Sequence, residues 1–205
     1  MLEVGGTNTV VSFLVLYGTG EGQTGTVAAR LAETLDERGH DATTLDVDDL
    51  PTTFDLGEFD AVLVGASIHA GKHQSSVLEF VRSNRPALDT IPTAFFQVSL
   101  SSATEEGRAQ AAGYFEEFVA ETEWHPDWIG FFGGALRYSE YGFLKRLLMK
   151  QIAKRTISDL PEADATGDVE FTDWEEVESF AADVAAFVEG RLGVAPASGD
   201  EAELE

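Results

Sequence analysis

The chain has 205 residues, of which 43% are hydrophobic, and it contains no cysteine. Its 37 acidic residues outnumber 13 Lys and Arg, and the formal charge of -24 indicates adaptation to a salt-rich cytoplasm, with an acidic interaction surface as the alternative. Length and composition predict one globular domain in the cytoplasm. The absence of cysteine excludes disulfides and thiolate metal sites, and the absence of a long apolar run excludes a membrane-spanning helix. The negative charge disfavours nucleic acid as a partner.

Apolar periodicity alternates between strand and helix along almost the whole chain. It predicts five strands, at 10–17, 41–46, 61–66, 93–100 and 128–135. It also predicts helices through 27–35, 75–83 and 105–122, and a last helix that starts at Asp173. Gly39 would stop the first helix, the second would end before Pro86, and Asp173 with Glu176 resembles a capping box.

Strands joined by crossover helices imply a parallel sheet with helices on both faces. Five strands predict a doubly wound α/β fold, most simply of order 2-1-3-4-5, which binds ligands beyond the carboxyl ends of its strands. The loops at those ends are 17–24, 67–73 and 99–106. The predicted organisation is an N-terminal extension (1–9), one domain (10–192) and an acidic, disordered tail (193–205).

The first loop, Tyr17-Gly-Thr-Gly-Glu-Gly-Gln-Thr24, has the composition of a phosphate cradle. Amides at a helix N-terminus and the hydroxyls of Thr19 and Thr24 can donate to an anion, and the absence of Lys excludes an NTPase P-loop. A mononucleotide loop, strand-Thr-Gly-x-x-x-Thr-helix, fits best. Gly20-x-Gly22-x-x-Gly25 with Asp46 also matches a dinucleotide fingerprint, although the match begins three residues beyond the strand. An ordinary turn with a Thr cap is the third alternative.

Several blocks of this sequence resemble, in the same order, the flavodoxin family and within it the menaquinone-dependent protoporphyrinogen IX dehydrogenases. The blocks are 17–24, 59–69, 80–81, 92–100, 124–127, 133–138 and 171–175. Gly-Ala-Leu-Arg-Tyr (134–138) and Phe-Thr-Asp-Trp-Glu (171–175) are the specific ones, since electron-carrier flavodoxins lack them. The resemblance covers 10–188 and implies bound FMN, a tetrapyrrole substrate, a membrane quinone as acceptor, and peripheral association with the cytoplasmic membrane face.

The same resemblance implies which residues bind the cofactor. The phosphate would be held by Thr19, Gly20, Glu21, Gly22, Gln23 and Thr24. The isoalloxazine ring would be flanked by Ser67, Ile68, His69, Ala70, Gly71, Ser99, Leu100 and Ser101. Bacterial members tend to carry Arg and an aromatic residue where this chain has His69 and Ala70, which leaves substrate contacts in that loop open. Segment 99–107 offers no aromatic side chain to stack on the flavin.

A basic segment interrupts the acidic chain at 137–157, because six of the 13 basic residues lie between Arg137 and Arg155. It predicts an amphipathic helical insertion after the fifth strand, which suits an anionic membrane surface. The membrane-facing candidates are Leu144, Arg146, Leu147, Leu148, Lys150 and Ile152. A helix packed on the core and a site for a partner protein are the alternatives.

Candidate substrate contacts are Arg137, Tyr138, Lys145 and His73, with Arg137 and Lys145 for propionate groups.

The activity implied by the resemblance is oxidation of protoporphyrinogen IX to protoporphyrin IX, in three two-electron cycles, with a quinone as acceptor. No catalytic side chain is assigned, because the flavin itself would carry the redox chemistry. The alternatives are a flavodoxin-type quinone reductase, a soluble electron carrier, and a non-catalytic module with a decayed flavin site. No metal is predicted, since His69 and His73 lack a third ligand, and no serine has the context of a hydrolase nucleophile.

Overall fold

The computed structural model describes residues 10–136 and 169–194. The elements follow in the order β1 (Ser12–Gly18), α1 (Gln23–Glu37), β2 (Asp41–Asp46), β3 (Ala61–His69), β4 (Lys72–His73), α2 (Ser75–Leu88), β5 (Thr93–Ser99), α3 (Glu105–Thr122), β6 (Trp128–Gly133), β7 (Ala135–Leu136), β8 (Val169–Glu170) and α4 (Trp174–Leu192). The predicted extension at 1–9, the predicted insertion at 137–157 and most of the predicted tail lie outside the described residues.

The five long strands pair in parallel in the order β2-β1-β3-β5-β6. Counted in chain order without the short β4, this is the predicted order 2-1-3-4-5, and the doubly wound α/β fold is confirmed. β4 folds back antiparallel onto the end of β3, and β7 pairs with β8 in a separate two-stranded ribbon. The carboxyl ends of β1, β3 and β5 therefore lie side by side at one edge of the sheet.

Apolar layers cover both faces of the sheet, because successive residues of a strand point to opposite sides. Phe13 and Val15 of β1 pack with α1 and α4 on one face. Leu14 and Leu16 pack with α2 and α3 on the other. The apolar side of α4 lies in the first layer, where Val177 is 0% and Val184 1% exposed. This core anchors the strand ends that carry the loops.

The end predicted for α2 is wrong, because the helix continues through Pro86 to Leu88. Pro86 lies in the last turn, where the missing N–H removes a single intrahelical hydrogen bond. Continuing the helix buries Leu88, which is 1% exposed in the layer beneath the sheet. Burial of one leucine is worth about 2 kcal/mol, enough to offset the lost bond.

Two of the predicted strands end more than one residue away from their predicted carboxyl ends. β3 continues to His69 because its last residues pair with β4. The strand predicted at 128–135 divides at Gly134, whose N–H donates to the carbonyl of Ser99 at 3.0 Å, and the chain then turns away to pair with β8. In both cases the ends are set by short strands that carry too few residues for a periodic pattern.

Candidate functional site

Three loops meet at the carboxyl edge of the sheet. The strand register places Gly18 opposite Ala66, and Ser67 opposite Val98. The loops that follow these residues, 19–24, 67–73 and 99–103, are therefore neighbours in space. All three sets of residues predicted to contact the cofactor lie on these loops, so the fold brings them together.

The first loop leads directly into the N-terminus of α1. Gly22 is the residue before the helix and has φ 85°, a left-handed conformation that glycine adopts without strain. Its N–H donates to Oγ1 of Thr19 at 2.9 Å, which closes the turn. A side chain at Gly20 or Gly22 would meet nothing within 4 Å. No other group therefore crowds this loop next to the positive end of the α1 dipole, an arrangement that can bind anions.

The hydroxyl of Thr24 is buried in this loop and has no hydrogen-bond partner among the described residues. The residue is 0% exposed, and Oγ1 has no hydrogen-bond partner among the described residues. Oε1 of Glu21 is likewise buried and unpaired in that part of the chain. Since a buried polar atom without a partner costs free energy, these atoms indicate that the loop is complete only with a ligand. Thr24 can donate to an anion, whereas Glu21 can accept from a hydroxyl.

The second loop is a hairpin formed by the end of β3 and by β4. Ser67 N–H donates to Oε1 of Gln74 at 3.1 Å, and Nε2 of Gln74 also contacts the Ser67 hydroxyl. Ala70 and Gly71 form the two-residue turn with φ 51° and 81°. Positive φ at both positions is typical of a type I′ turn, and it strains Ala70 because the left-handed region disfavours a Cβ. The Ser67 side chain is thus held against α2.

His69 and His73 point to opposite faces of this hairpin, because His69 pairs with Lys72 and His73 with Ile68. His69 is exposed at the loop surface. The helical geometry that could have brought both rings to one metal ion is therefore not present. Within 10–136 and 169–194, the structure contains no cluster of three or more His, Cys, Asp or Glu residues able to hold a metal.

His73 lies behind the hairpin in an aromatic pocket. Its ring centroid is 5.0 Å from Phe118 and 5.8 Å from Phe95. Gln97 donates through Nε2 to the carbonyl of Ala111 at 3.1 Å, so its Oε1 is the acceptor that faces Nε2 of His73 at 2.9 Å. His73 therefore carries its proton on Nε2. Burial lowers the pKa of His73 to about 4, so the ring is neutral at pH 7 and would not contact a substrate as a cation.

The third loop is held by its own serines and by α3. The hydroxyls of Ser99 and Ser102 are 2.7 Å apart. Ser101 Oγ donates to Oε1 of Gln110 at 3.0 Å, and Nε2 of Gln110 donates to the Tyr114 hydroxyl at 2.7 Å. Tyr114 in turn lies beside the hairpin turn, since a Cβ on Gly71 would be 3.8 Å from its ring. Hydrogen bonds thus link the third loop to Tyr114 of α3, which lies beside the second loop.

Several residues of this edge escaped the sequence analysis. They are Gln74, Gln97, Gln110 and Tyr114, which orient the loops rather than form them. Gln97 carried the only sequence signal, because it is a polar residue inside the apolar run of β5 and is 0% exposed. Tyr114 lies on α3, is only partly buried and stands beside the hairpin turn.

The remaining predicted contacts fall beyond the described part of the chain. Arg137, Tyr138, Lys145 and the membrane-facing set Leu144, Arg146, Leu147, Leu148, Lys150 and Ile152 all lie between β7 and β8 in the sequence. Among the helices of 10–136 and 169–194, none is long and apolar enough to cross a membrane.

An apolar groove of about 340 Å³ lies elsewhere on the molecule, between α3 and the start of β6. Phe115, Val119, Pro126 and Ile129 contribute to its lining. Because Pro126 precedes β6 and Ile129 is the second residue of that strand, the groove is at the opposite end of the sheet from the three loops. It is not part of the site that the loops form.

Comparisons with known proteins agree with this geometry. The flavodoxin domain model matches residues 14–160. Protoporphyrinogen IX dehydrogenase (quinone) of Escherichia coli strain K12 is 35% identical over 173 residues, which cover 84% of this chain and 93% of the relative. The protein of the same name from Leishmania major is 34% identical over 175 residues, covering 84% and 74% of the two chains.

Solved structures support the fold alone, because their sequence identities are low. An archaeal flavodoxin superposes with a TM-score of 0.50 at 15% identity and covers 87% of this chain and 99% of its own. A short-chain flavodoxin associated with a bacterial microcompartment gives 0.52 at 14% identity, with the same coverage of 87% and 99%.

Proposed function

Because the chain belongs to the flavodoxin family, we propose that it binds FMN at the carboxyl edge of its sheet and oxidises protoporphyrinogen IX with a quinone as electron acceptor. The observation that carries the choice of substrate is the 35% identity to the Escherichia coli dehydrogenase across 84% of this chain. The observation that supports the cofactor is the unpaired Thr24 hydroxyl at the open N-terminus of α1.

The loop at 19–24 fits a phosphate monoester. Thr24 Oγ1 and the first-turn amides of α1 are donors at the same helix end, and the loop has no Lys or Arg, so the amides and the helix dipole would have to hold the anion. Glu21 Oε1 can accept a hydrogen bond only from a donor such as a hydroxyl of the ribityl chain. Gln23 contributes its backbone, because its side chain is engaged away from the loop.

The two other loops would bracket the isoalloxazine ring. Ser67 is held by Gln74, directly before α2, and Ser101 is held by Gln110 of α3, so one residue of each loop is fixed by the protein itself. Neutral His73 supports the hairpin from behind without adding charge beside the ring. When bound, FMN accepts two reducing equivalents from the substrate and releases them to the quinone.

We propose in addition that the basic segment 137–157 binds the membrane surface where the quinone resides. The support is its sequence, in which six of the chain's 13 basic residues occur within an otherwise acidic protein. A cationic amphipathic segment is attracted by anionic lipids. Arg137, Tyr138 and Lys145 lie within this segment, in its amino-terminal half, and are candidate contacts for the substrate propionates.

The test of the activity is an anaerobic reduction of the bound flavin. The protein is loaded with FMN in concentrated KCl, and protoporphyrinogen IX is added without a quinone. The absorbance of oxidised flavin should disappear and should return when a menaquinone analogue is supplied. FMN-free protein controls for spontaneous oxidation of the porphyrinogen. Flavin that stays oxidised would exclude the dehydrogenase activity, and reduction only by a redox protein would identify an electron carrier.

Arg137→Ala tests the proposed substrate contact. The change should lower porphyrinogen turnover about tenfold, the usual effect of losing a charge-assisted hydrogen bond, and should leave the Kd for FMN unchanged. Arg191→Ala is the matched control, since Arg191 pairs with Asp127 near the opposite end of the sheet at 2.8 Å. Unchanged turnover in Arg137→Ala would remove this residue from the substrate site.

A further inference from the structure

Gln23 opens α1 with a polar side chain that is almost fully buried. It is 6% exposed, and its Nε2 donates to Oγ1 of Thr172 at 2.8 Å and to Oε1 of Glu170 at 3.2 Å. Both acceptors lie 147 or more residues further along the chain. The side chain therefore ties the first turn of α1 to a distant segment rather than to its own loop.

The distant segment is the ribbon, which we define as β7, β8 and the following Phe171 and Thr172. Thr172 accepts from Gln23 and donates through the same hydroxyl to the carbonyl of Gly133 at 2.8 Å. Phe171 N–H donates to the carbonyl of Gly134 at 3.0 Å. A Cβ on Gly133 would lie 2.2 Å from the carbonyl oxygen of Phe171, so only glycine permits this approach. The ribbon is thus fixed to the end of β6.

Gly134, which directly precedes the ribbon, also contacts the third loop of the site. Gly134 N–H donates to the carbonyl of Ser99 at 3.0 Å, and Ser99 is paired with Gly133 across β5 and β6. Two of the three loops at the carboxyl edge are therefore joined to the ribbon, one by the Gln23 side chain and one by backbone. Residues 137–168 lie between the two strands of the ribbon in the sequence. The hydrogen bonds of Gln23 therefore connect the phosphate loop to the residues that directly follow that segment.

Gln23 precedes Thr24, whose buried hydroxyl has no hydrogen-bond partner among the described residues. A ligand that fixes Thr24 also fixes the helical turn from which Gln23 reaches the ribbon. We infer that Gln23 is a positioning residue that couples the phosphate loop to the ribbon. A ligand in the loop would then stabilise the ribbon, and an ordered ribbon would strengthen ligand binding at the loop. The inference rests on the proposed function in taking FMN as the ligand.

Hydrogen exchange of the full chain with and without FMN tests this coupling. In the wild type, FMN should slow exchange both in the phosphate loop and in peptides that contain 135–136 and 169–172, the latter by roughly fivefold. In Gln23→Ala, FMN should still slow hydrogen exchange in the phosphate loop but should no longer slow it in the ribbon. Arg30→Gln is the matched control, because Arg30 also bonds α1 to the C-terminal helix, through Glu178 at 2.9 Å, without touching the ribbon. It should keep the wild-type response.

Thr172→Val gives the same test with a side chain of nearly the same shape, should Gln23→Ala fail to fold. It removes the acceptor for Gln23 and the donor to Gly133, and it should abolish the response of the ribbon. If FMN binds to the wild type and the ribbon does not respond, or if both variants respond as the wild type does, the coupling is refuted while the proposed function stands. If FMN does not bind to the wild type, the proposed function and the coupling both fail.

Discussion

At the scale of single residues, the buried hydroxyl of Thr24 makes no hydrogen bond within the described residues. Thr24→Val exchanges this hydroxyl for a methyl group of the same shape, so the ligand-free protein should be as stable as the wild type or up to about 1 kcal/mol more stable. The Kd for FMN should rise about tenfold or more, because a hydrogen bond to a charged phosphate oxygen is lost. Urea unfolding and a flavin fluorescence titration measure the two effects.

Thr26→Val is the control for this exchange, because the exposed Thr26 hydroxyl bonds to the carbonyl of Gly22 at 3.3 Å in the same helix. Its Kd for FMN should match that of the wild type. Equal loss of affinity in both variants would show that Thr24 acts through the helix and not through its hydroxyl.

His73 makes folding depend on pH because its ring is buried neutral. The unfolded ring titrates near 6.5 and the folded ring at about 4, so the unfolded chain binds more protons between these values. Stability should therefore rise with pH across this window, by roughly 3 kcal/mol in total, and should change little above it. His73→Gln, which can still donate to Gln97, should flatten the rise.

Urea midpoints between pH 4 and pH 7 measure this dependence. His69→Gln alters the exposed histidine of the same hairpin and should retain the wild-type slope. A His73→Gln variant that is as pH-sensitive as the wild type would assign the slope to other groups.

The sequence predicts residues whose role is local and misses those whose partners are distant. Thr24 follows from the glycine loop, and Asp173 caps α4 as predicted, since its carboxylate accepts from the N–H groups of Glu175 and Glu176. Gln74, Gln97 and Tyr114 gave no comparable signal. An amide or phenol in a strand or helix indicates that a hydrogen bond is needed, but the fold decides which group supplies it.

At the scale of elements, Glu189 joins the last turn of α4 to the segment between α1 and β2. Its carboxylate accepts from Arg38 at 3.1 Å and from His40 Nε2 at 2.9 Å, and the side chain is 7% exposed. Burial alone would raise the pKa of Glu189, but the hydrogen bonds from His40 and Arg38 outweigh it and lower the pKa. The ionised pair thus stabilises the fold at neutral pH and is lost only as the pH falls through that lowered value.

Glu189→Gln should destabilise the protein by about 2 kcal/mol, since it leaves buried donors with a weaker acceptor and one uncompensated charge. Glu178→Gln is the matched change on the same helix, where the pair with Arg30 is 40% and 37% exposed and should be worth less than about 1 kcal/mol. Urea unfolding at pH 7 compares the two. Equal losses would show that burial does not distinguish these contacts.

Elements are predictable where they are long. The periods of the long strands and helices gave the order of the sheet, and α3 has the predicted ends at Glu105 and Thr122. β4, β7 and β8 each have two residues, which is too short for a hydrophobic period. Their positions follow from pairing with distant residues, as does the continuation of α2 beyond Pro86, which burial of Leu88 favours.

At the scale of the whole molecule, the negative charge that indicates adaptation to concentrated salt should also repel the phosphate of the proposed ligand, FMN. The formal charge is -24, and the phosphate loop adds Glu21 without a basic residue to offset it. The amides of α1 act over one helical turn, whereas the repulsion of 37 acidic residues extends over about 10 Å at 0.1 M salt. Salt should therefore improve phosphate binding here, whereas it weakens most contacts between an anion and a protein.

A titration at rising KCl separates this effect from general salting out. Between 0.1 M and 2 M KCl the Kd for FMN should fall about tenfold, because the range of the repulsion shrinks from about 10 Å to below about 3 Å. Riboflavin carries the same ring and ribityl chain without the phosphate, so its Kd should change much less. The ratio of the two affinities reports on the phosphate alone. A ratio that stays constant would mean that the acidic surface does not reach the loop, and that α1 supplies the whole electrostatic environment of the anion.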